Sequence, residues 1–166
     1  MDKSGIERNL QLLAHELAVS GRTGAILILG GAVMVLVVGN RGATRDIDAA
    51  FEREAPAIRA AVSQIARREG LPDDWLNDGA KGFIYSSPPV ILWKQYPGLD
   101  IYLPALDYLL AMKIIAGRIQ DLDDAKALIQ HLGLTSPQEV LDILQRYIPS
   151  RYLTVSVRYN VEELFA

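Results

Sequence analysis

The sequence contains no cysteine and only two histidines, His15 and His131. Disulfide bonds, thiolate zinc sites and cysteine nucleophiles are therefore excluded, and so is a histidine-rich metal site. The chain also lacks the strong positive charge of proteins that bind nucleic acids generally, because its formal net charge at pH 7 is −3. A local docking patch for nucleic acid is still compatible with this charge.

The chain has no apolar run long enough to cross a bilayer. Its most apolar stretch, residues 24–39 (GAILILGGAVMVLVVG), is shorter than the about 20 residues that a transmembrane helix needs, and a glycine pair interrupts it. The first twenty residues are amphipathic and contain acids, unlike a signal peptide. We therefore expect a soluble, cytoplasmic protein with no membrane partner.

The composition is that of an ordinary globular protein. Of the 166 residues, 50% are hydrophobic and 22% are charged, which disfavours disorder and allows a real core to be buried. The sequence shows no internal repeat, low-complexity stretch or linker. We predict a single domain, residues 1–166, with a core over about 20–105 and a helical C-terminal part over about 106–166.

Hydrophobic periodicity and turn residues predict a small mixed α/β domain, that is, an α+β fold with helices gathered toward the C-terminus. In the N-terminal half, a buried strand (25–29) leads through Gly30 and Gly31 into a helix that Gly39 ends, and an alternating strand (44–51) follows. The later elements are a loop (71–82), two strands joined by a Pro97-Gly98 turn, and helices over about 107–118, 121–132 and 136–147.

The strand at 44–51 carries Asp46 and Asp48 on either side of Ile47. Residues two apart in a strand point to the same face, so the two carboxylates project together while Ile47 points into the core. Such a pair repels unless a cation lies between the groups, and Mg²⁺, which takes oxygen ligands and keeps several waters, suits it. A third carboxylate would complete a two-metal arrangement for in-line attack on a phosphate. The alternative is an exposed strand edge with solvated acids.

The glycine pair favours the phosphate chemistry. Gly30 and Gly31 follow a strand and precede a predicted helix, where backbone amides at the positive end of the helix can hold a phosphate. A Gly-Gly pair alone is more often a simple turn. However, the order strand, glycine pair, helix, loop and Asp-x-Asp strand places a phosphate cradle and a metal site at adjacent points of one sheet.

This segment resembles the nucleotidyltransferase superfamily typified by DNA polymerase beta, whose hallmark is a hydrophobic residue, Gly, Gly or Ser, a short helix, and Asp-hydrophobic-Asp. The matching residues are Leu29-Gly30-Gly31 and Asp46-Ile47-Asp48. The longer string RGATRDID (41–48) looks like the AbiEii-type toxins and their bacterial relatives of unknown function. Those proteins are similar in a second block, which is DYLLAMKIIAGRIQDLDDAKAL (107–128) in this chain. The two blocks lie near the two ends of residues 25–132.

The resemblance implies a nucleotidyltransferase-like fold and a transferase that uses an incoming nucleoside triphosphate (NTP) and Mg²⁺ or Mn²⁺. The glycine turn would hold the triphosphate, and Asp46 and Asp48 would bind the metal. The acceptor would be a hydroxyl or phosphate on RNA, tRNA included, on a protein or on a small molecule. At the family level, the resemblance also implies a toxin that a cognate antitoxin neutralises.

A third carboxylate is expected on a neighbouring strand, where members of the superfamily often use it as the base that activates the acceptor hydroxyl. Asp100 is the candidate, because its apolar neighbours in the strand share one face and Asp100 points to the other. This role requires that the Asp100 strand lie beside the Asp46 strand. Alternatively, Asp100 is simply a polar residue that follows the Pro-Gly turn.

Several other residues are candidate nucleotide contacts. By the resemblance, Lys113 matches a lysine thought to contact nucleotide phosphates; the alternative is a lysine that extends along an apolar helix to solvent. Asp121 matches an active-site aspartate, or it caps the next helix. Arg118 would clamp a phosphate or pair with Asp121. Arg41 matches a family arginine that would brace an aspartate or meet a phosphate, and Thr44 would hydrogen-bond the loop that shapes the glycine turn.

Three functions are compatible with these patterns. The first is an active nucleotidyltransferase, and the second is a catalytically degenerate protein of that fold that binds nucleotide or a protein partner. The third is a metal-dependent phosphodiester hydrolase, which we rank last because the sequence shows no group that would position water. Metal and triphosphate binding separates the first function from a structural scaffold, and turnover with an acceptor separates it from a binder.

Overall fold

A computed structural model describes the backbone of the whole chain and every side chain except those at positions 82 and 83. The fold belongs to the mixed α+β class, as predicted, and contains a five-stranded mixed sheet. The chain divides into two compact units, the first comprising Met1–Phe83 and Val90–Leu103 and the second comprising Ile84–Pro89 and Pro104–Ala166. The division after Leu103 lies near the predicted start of the helical C-terminal part.

The first unit contains the sheet and three helices. Its helices are α1 Lys3–Val19, α2 Gly31–Val33 and α3 Ala55–Glu69; α2 continues as a π-helical turn, Met34–Val38, and a 3-10 turn covers Gly79–Phe83. Its strands are β1 Gly24–Leu29, β2 Ile47–Arg53, β3 Leu76–Asn77, β4 Val90–Tyr96 and β5 Leu99–Pro104. These bounds confirm the predicted order of strand, glycine turn, helix and strand, but the predicted strand over 44–51 begins only at Ile47, so that Asp48 lies in β2 and Asp46 precedes it.

The strands are arranged in the order β3-β2-β1-β5-β4. β1 is central, antiparallel to β2 and parallel to β5, and all six of its residues are buried. A strand covered on both faces is expected to be continuously apolar, which is why its sequence, GAILIL, does not alternate. β2 has water on one face near its start, and it therefore alternates there between buried Ile47 and half-buried Asp48.

Helices α1 and α3 pack against each other, and both contact the start of β1. A Cβ atom built on Gly24 would lie 3.1 Å from Leu17 of α1 and 3.1 Å from Ile58 of α3. The α1 stripe of Ile6, Leu10, Leu13 and Leu17 is fully buried or nearly so. This apolar layer holds β1 rigidly, and with it the glycine turn that follows.

The segment predicted as a loop, residues 71–82, contains the short edge strand β3, so the prediction is wrong there. Trp75 is fully buried just before β3, and its indole Nε1 donates a hydrogen bond to Val62 O at 3.1 Å. The amide of Ile47 donates to Trp75 O at 2.8 Å, which joins β3 to β2. Two strand residues are too few to show a periodicity, and the polar residues around them resemble a loop.

The second unit is helical. Its helices are α4 Leu106–Ala116, α5 Ile119–Leu132, α6 Pro137–Tyr147 and α7 Val155–Glu163, with a 3-10 turn at Ser150–Tyr152. α4 to α6 confirm the three predicted helices, and α6 begins with a capping box formed by Ser136 and Glu139. Within the described part of the chain, none of the helices has both the length and the apolar character needed to cross a membrane.

Candidate functional site

Asp48 lies against the glycine turn because of the register between β1 and β2. Asp48 is paired with Leu29, the last residue of β1, and Gly30 follows with a φ of +65°. A Cβ atom on Gly30 would lie only 2.9 Å from Asp48 Oδ2. The turn therefore requires glycine for two reasons, its left-handed backbone and the carboxylate that occupies the place of a side chain.

The loop between α2 and β2 returns to the same turn. A Cβ atom on Gly31 would lie 3.1 Å from Arg41 Nη1 and 3.2 Å from Thr44 Oγ1. Thr44 Oγ1 also donates a hydrogen bond to Asp46 O at 3.1 Å. The structure thus brings Arg41, Thr44 and the glycine pair together next to the aspartates. The hydrogen bond joins Thr44 to the residue before β2, and its predicted role at the glycine turn stays a prediction.

The two aspartates are close enough to affect each other. Asp46 immediately precedes β2 and is half-buried. Burial raises the pKa of Asp46, the negative charges of Asp48 and Asp74 raise it further, and the cation of Arg45 offsets only part of this. A carboxylate whose charge is opposed by its neighbours is a typical feature of sites that bind a cation.

Sequence reasoning missed two residues beside the pair, Asp74 and Asn77. Asn77 is paired with Asp48 across β2 and β3, and its Nδ2 donates to Asp46 Oδ2 at 3.4 Å. Asp74 Oδ2 lies 3.8 Å from Arg45 Nη2. The signal in the sequence was the apolar pair Trp75-Leu76 within polar surroundings, which indicates a buried strand that presents its flanking polar residues at the sheet edge.

Asp100 does not lie beside the aspartate pair, so the prediction that placed it there is wrong. β1 separates β5 from β2, and Asp100 is paired with Ala25, whereas Asp48 is paired with Leu29. Four residues of strand correspond to about 13 Å. Alternation along a strand predicts the face on which Asp100 lies, but it does not predict the order of the strands.

The contacts of Asp100 give it a structural role. Its Oδ2 accepts from Arg53 Nη2 at 2.6 Å and its Oδ1 from Gln95 Nε2 at 3.0 Å. Hydrogen bonds from Gln95 and Arg53 hold the pKa of Asp100 below its usual range. A carboxylate with a lowered pKa is a weak base, and both of its oxygens are occupied. Asp100 therefore ties β5 to β2 across the end of β1.

The carboxylate pair fits Mg²⁺ as a partial set of ligands. Among the side chains that the structure describes, no group of three or more histidines and acidic residues is arranged to hold a metal ion. Mg²⁺ commonly binds one or two carboxylates and completes its octahedron with waters and substrate phosphates. Asp46 and Asp48 would supply such a pair, with the carboxylate of Asp48 already placed against the glycine turn.

The predicted residues of the second block form a separate cluster in the helical unit. Lys113 Nζ lies 3.1 Å from Asp121 Oδ1 and 2.9 Å from Asp124 Oδ2, and these three side chains are at most 8% exposed. Arg118 Nε donates to Asp121 Oδ2 at 2.6 Å. The cluster contains two cations and two anions. Its buried charges are therefore paired within the protein, and no ligand is needed to balance them.

The alternative in which Asp121 caps α5 is wrong, because Arg118 holds the cap position. α5 begins at Ile119 with Arg118 as its N-cap, so Asp121 is the third helical residue and not the cap. Burial raises the pKa of Asp121, but the hydrogen bonds from Arg118 and Lys113 outweigh it and the pKa is lowered. The alternative that Lys113 extends to solvent is wrong, since its ammonium group is buried between two carboxylates.

A shallow cleft of about 290 Å³ opens in the first unit next to the site. Its lining includes Phe51 and Arg59 on one side and Asn77 and Asp78 on the other. Arg59 Nη2 donates to Asp78 Oδ2 at 2.8 Å, and its guanidinium lies 5.7 Å from the centre of the Phe51 ring. Because Asn77 contacts Asp46, the cleft adjoins the carboxylate pair.

Comparison of the chain with protein-family models, with curated proteins and with solved structures finds no match. An assignment of function therefore depends on the chemistry of the residues that the fold brings together. Those residues are Gly30, Gly31, Arg41, Thr44, Asp46 and Asp48, with Asn77 and Asp74 beside them.

Replacing Asp46 with Asn is expected to raise the free energy of unfolding at pH 7 in metal-free buffer. The folded-state pKa of Asp46 is raised, so its ionisation opposes folding once the pH exceeds the usual aspartate pKa. The gain should disappear in acid, where both states of the wild type are protonated. Urea unfolding at several pH values, followed by circular dichroism, measures it.

The control for this change is Asp73→Asn, which alters an exposed acid in the same segment as Asp74. It should leave the free energy of unfolding nearly unchanged, within about 0.5 kcal/mol, as surface changes usually do. Added Mg²⁺ should raise the melting temperature of the wild type and of Asp73→Asn but not that of Asp46→Asn. Equal stabilisation of all three proteins by Mg²⁺ would contradict a metal site at the pair.

Replacing Lys113 with Met is expected to lower the free energy of unfolding at pH 7 by about 3–5 kcal/mol, because Asp121 and Asp124 lose the buried ammonium group that they share, although Asp121 keeps Arg118. In the wild type, the lowered pKa of Asp121 contributes stability above the usual aspartate pKa, and this is lost as the pH falls through the folded-state pKa. The difference between the two proteins should therefore shrink in acid. Urea unfolding at neutral and acid pH measures it.

Lys126→Met is the matched control, since Lys126 is an exposed lysine of the same helix, α5. We expect it to change the free energy of unfolding by less than about 0.5 kcal/mol. An equal loss of stability in both variants would contradict a stabilising role for the buried charge network between α4 and α5.

Proposed function

We propose that the chain is a Mg²⁺-dependent nucleotidyltransferase that moves a nucleoside monophosphate from an NTP to a hydroxyl or phosphate acceptor. One observation carries the proposal: the carboxylate of Asp48 lies against Gly30 in the turn that follows β1, with Arg41 and Thr44 at the next glycine. An oxygen-ligand pair, a side-chain-free turn and an arginine are the groups that a metal-bound triphosphate requires.

Asp46 and Asp48 would hold Mg²⁺ or Mn²⁺. When bound, the metal neutralises charge on the triphosphate oxygens and makes the α-phosphorus more electrophilic. Asn77 is a positioning residue in this scheme, because its Nδ2 hydrogen bond fixes one oxygen of Asp46. The negative charges of Asp48 and Asp74, which together with burial raise the pKa of Asp46, would also attract a divalent cation.

The glycine turn and Arg41 are the groups that would bind the triphosphate. At Gly31, Arg41 Nη1 and Thr44 Oγ1 occupy the place of a side chain, which puts the Arg41 guanidinium, a group suited to bidentate contact with phosphate, against the turn. In the transfer, an acceptor oxygen forms a bond to the α-phosphorus, the bond to the β-phosphate breaks, and pyrophosphate leaves. A hydroxyl acceptor releases its proton to water in this scheme, because the oxygens of Asp100 are already hydrogen-bonded.

A second candidate function is nucleotide or partner binding without turnover. The observation that favours it is the position of Asp100, which does not supply the third carboxylate that active members of the superfamily usually have on a neighbouring strand. A toxin role with a cognate antitoxin stays a prediction from the resemblance. The roles of Lys113, Arg118 and Asp121 toward nucleotide also stay predictions; their contacts within the helical unit account for them structurally.

The test is transfer of label from each α-³²P-labelled NTP in the presence of Mg²⁺ to total RNA, tRNA, protein or small-molecule acceptors. The wild type should label an acceptor and release pyrophosphate. Asp46→Asn and Asp48→Asn should each lower the rate by at least about 100-fold, since metal binding supplies several kcal/mol of transition-state stabilisation. Release of labelled nucleoside monophosphate without a labelled acceptor would instead indicate that the chain hydrolyses the NTP.

Asp100→Asn is the matched control, because it makes the same chemical change outside the pair. It should lower the free energy of unfolding while leaving the transfer rate of the folded protein within about threefold, a change of less than 1 kcal/mol. A loss of transfer in Asp100→Asn as large as in Asp46→Asn would contradict our assignment. If no NTP were transferred by folded wild type, the binding-only function would replace the transferase.

A further inference from the structure

The C-terminal segment of the second unit repeats one dipeptide. Arg-Tyr occurs three times, at 146–147, 151–152 and 158–159. Between Asp142 and Glu162 there is no acidic residue, although the chain has a net charge of −3. Of the three arginines in this segment, Arg146 is paired with Asp107, which leaves the charges of Arg151 and Arg158. A local basic segment that also carries aromatic residues is typical of a nucleic-acid docking patch.

The first Arg-Tyr pair has a structural role. Arg146 Nη1 donates to Asp107 Oδ2 at 3.0 Å, and Tyr147 OH donates to the same oxygen at 3.0 Å. The Tyr147 ring meets Tyr108 edge-on at 5.2 Å. This pair therefore fastens α6 to α4, and its side chains are already occupied.

The second pair faces solvent. Arg151 Cζ lies 4.8 Å from the centre of the Tyr152 ring, and the ring of Tyr85 lies 4.9 Å from it on a tilt of 48°. Tyr85 and Tyr152 are each 36% exposed. Guanidinium planes and tyrosine rings are both surfaces on which unpaired bases stack.

The third pair lies on α7. Tyr159 is 60% exposed and Val155, one turn earlier on the same face, is 84% exposed, while Arg158 is exposed beside them. Three extended residues and four helical ones separate Tyr152 from Tyr159, which limits their Cα atoms to about 17 Å. This upper limit corresponds to at most about five nucleotides at the ~3.4 Å spacing of a stacked strand.

The two exposed arginines differ from most others in the chain. Among the described side chains, at least eight arginines form salt bridges with carboxylates, and none of these salt bridges involves Arg151 or Arg158. A solvated guanidinium next to an exposed tyrosine contributes little to the stability of the folded unit. Both groups would make more favourable contacts with a partner that has phosphates and aromatic ring faces close together.

We propose that Arg151, Tyr152, Arg158 and Tyr159, which we term the Arg-Tyr surface, bind single-stranded nucleic acid. The arginines contact phosphates, and the tyrosine rings stack on bases. Charge complementarity argues for a polyanion, and the exposed rings argue for bases that are not paired, since a duplex hides the faces of its bases. The inference goes beyond the transferase function and does not depend on it, because this surface would bind nucleic acid with or without turnover.

The test is fluorescence anisotropy with the full chain and a labelled oligomer of about 12 nucleotides, within the ~4–16 nucleotides that single-strand sites cover. Single-stranded RNA, single-stranded DNA and the RNA duplex are compared. We expect the single strands to bind at least about tenfold more tightly than the duplex, and Tyr152→Ala and Tyr159→Ala each to weaken binding at least about fivefold. A preference between the RNA and DNA strands shows whether the 2′-hydroxyl contributes.

The arginines are tested by salt dependence. Arg151→Gln and Arg158→Gln should each reduce the slope of log affinity against log salt by about 0.7, the value for one phosphate contact on a single strand. Arg67→Gln, which removes an exposed arginine of α3 in the first unit, is the matched control and should leave the slope unchanged. Tyr159→Phe keeps the ring and should keep the affinity.

Three results would overturn the proposal. They are the absence of binding to any strand at low salt, equal affinity for duplex and single strands, and full affinity in both Tyr→Ala variants. The last two would indicate a general attraction of polyanions without stacking. Circular dichroism of each variant excludes unfolding as the cause of a loss.

Discussion

The antiparallel pairing of β1 with β2 is the constraint on which the candidate site depends. It sets Asp48 opposite Leu29, so that the carboxylate falls against the next residue, Gly30, where a side chain would collide with it. Because side chains alternate along a strand, a shift of one residue would turn Asp48 inward and expose Ile47. Both strands have buried faces, which excludes that shift. The packing of the core thereby determines where the Asp48 carboxylate lies.

Two groups of aspartates in the chain show opposite electrostatics. In the helical unit, Asp121 faces Lys113 and Arg118, and its pKa is lowered. At the start of β2, burial and neighbouring acids raise the pKa of Asp46, and Arg45 does not outweigh them. The first arrangement stabilises the fold by itself, whereas the second costs stability. A cost of this kind is typical of a site selected for binding.

The sequence predicted the fold class and the local order around the glycine turn because those depend on short-range patterns. The apolar run of β1, the glycine pair and the alternation around Ile47 lie within one stretch of chain, and their contacts follow from it. Strand order does not follow in this way: Asp100 was assigned to the correct face of its strand but to the wrong neighbour. Asn77 was missed because its strand has two residues, and β3 becomes visible only through the burial of Trp75.

The most direct test of the site is calorimetric titration of each Mg²⁺–NTP into the wild type, Gly30→Ala and Gly39→Ala. Both glycines have a left-handed backbone (φ +65° and +75°), but only at Gly30 would a Cβ meet Asp48, and at Gly39 it would meet nothing within 4 Å. The account predicts unchanged affinity in Gly39→Ala and affinity at least about tenfold weaker, by 1.4 kcal/mol or more, in Gly30→Ala. Equal affinity in the two variants, or no binding of any NTP by folded wild type, would contradict it.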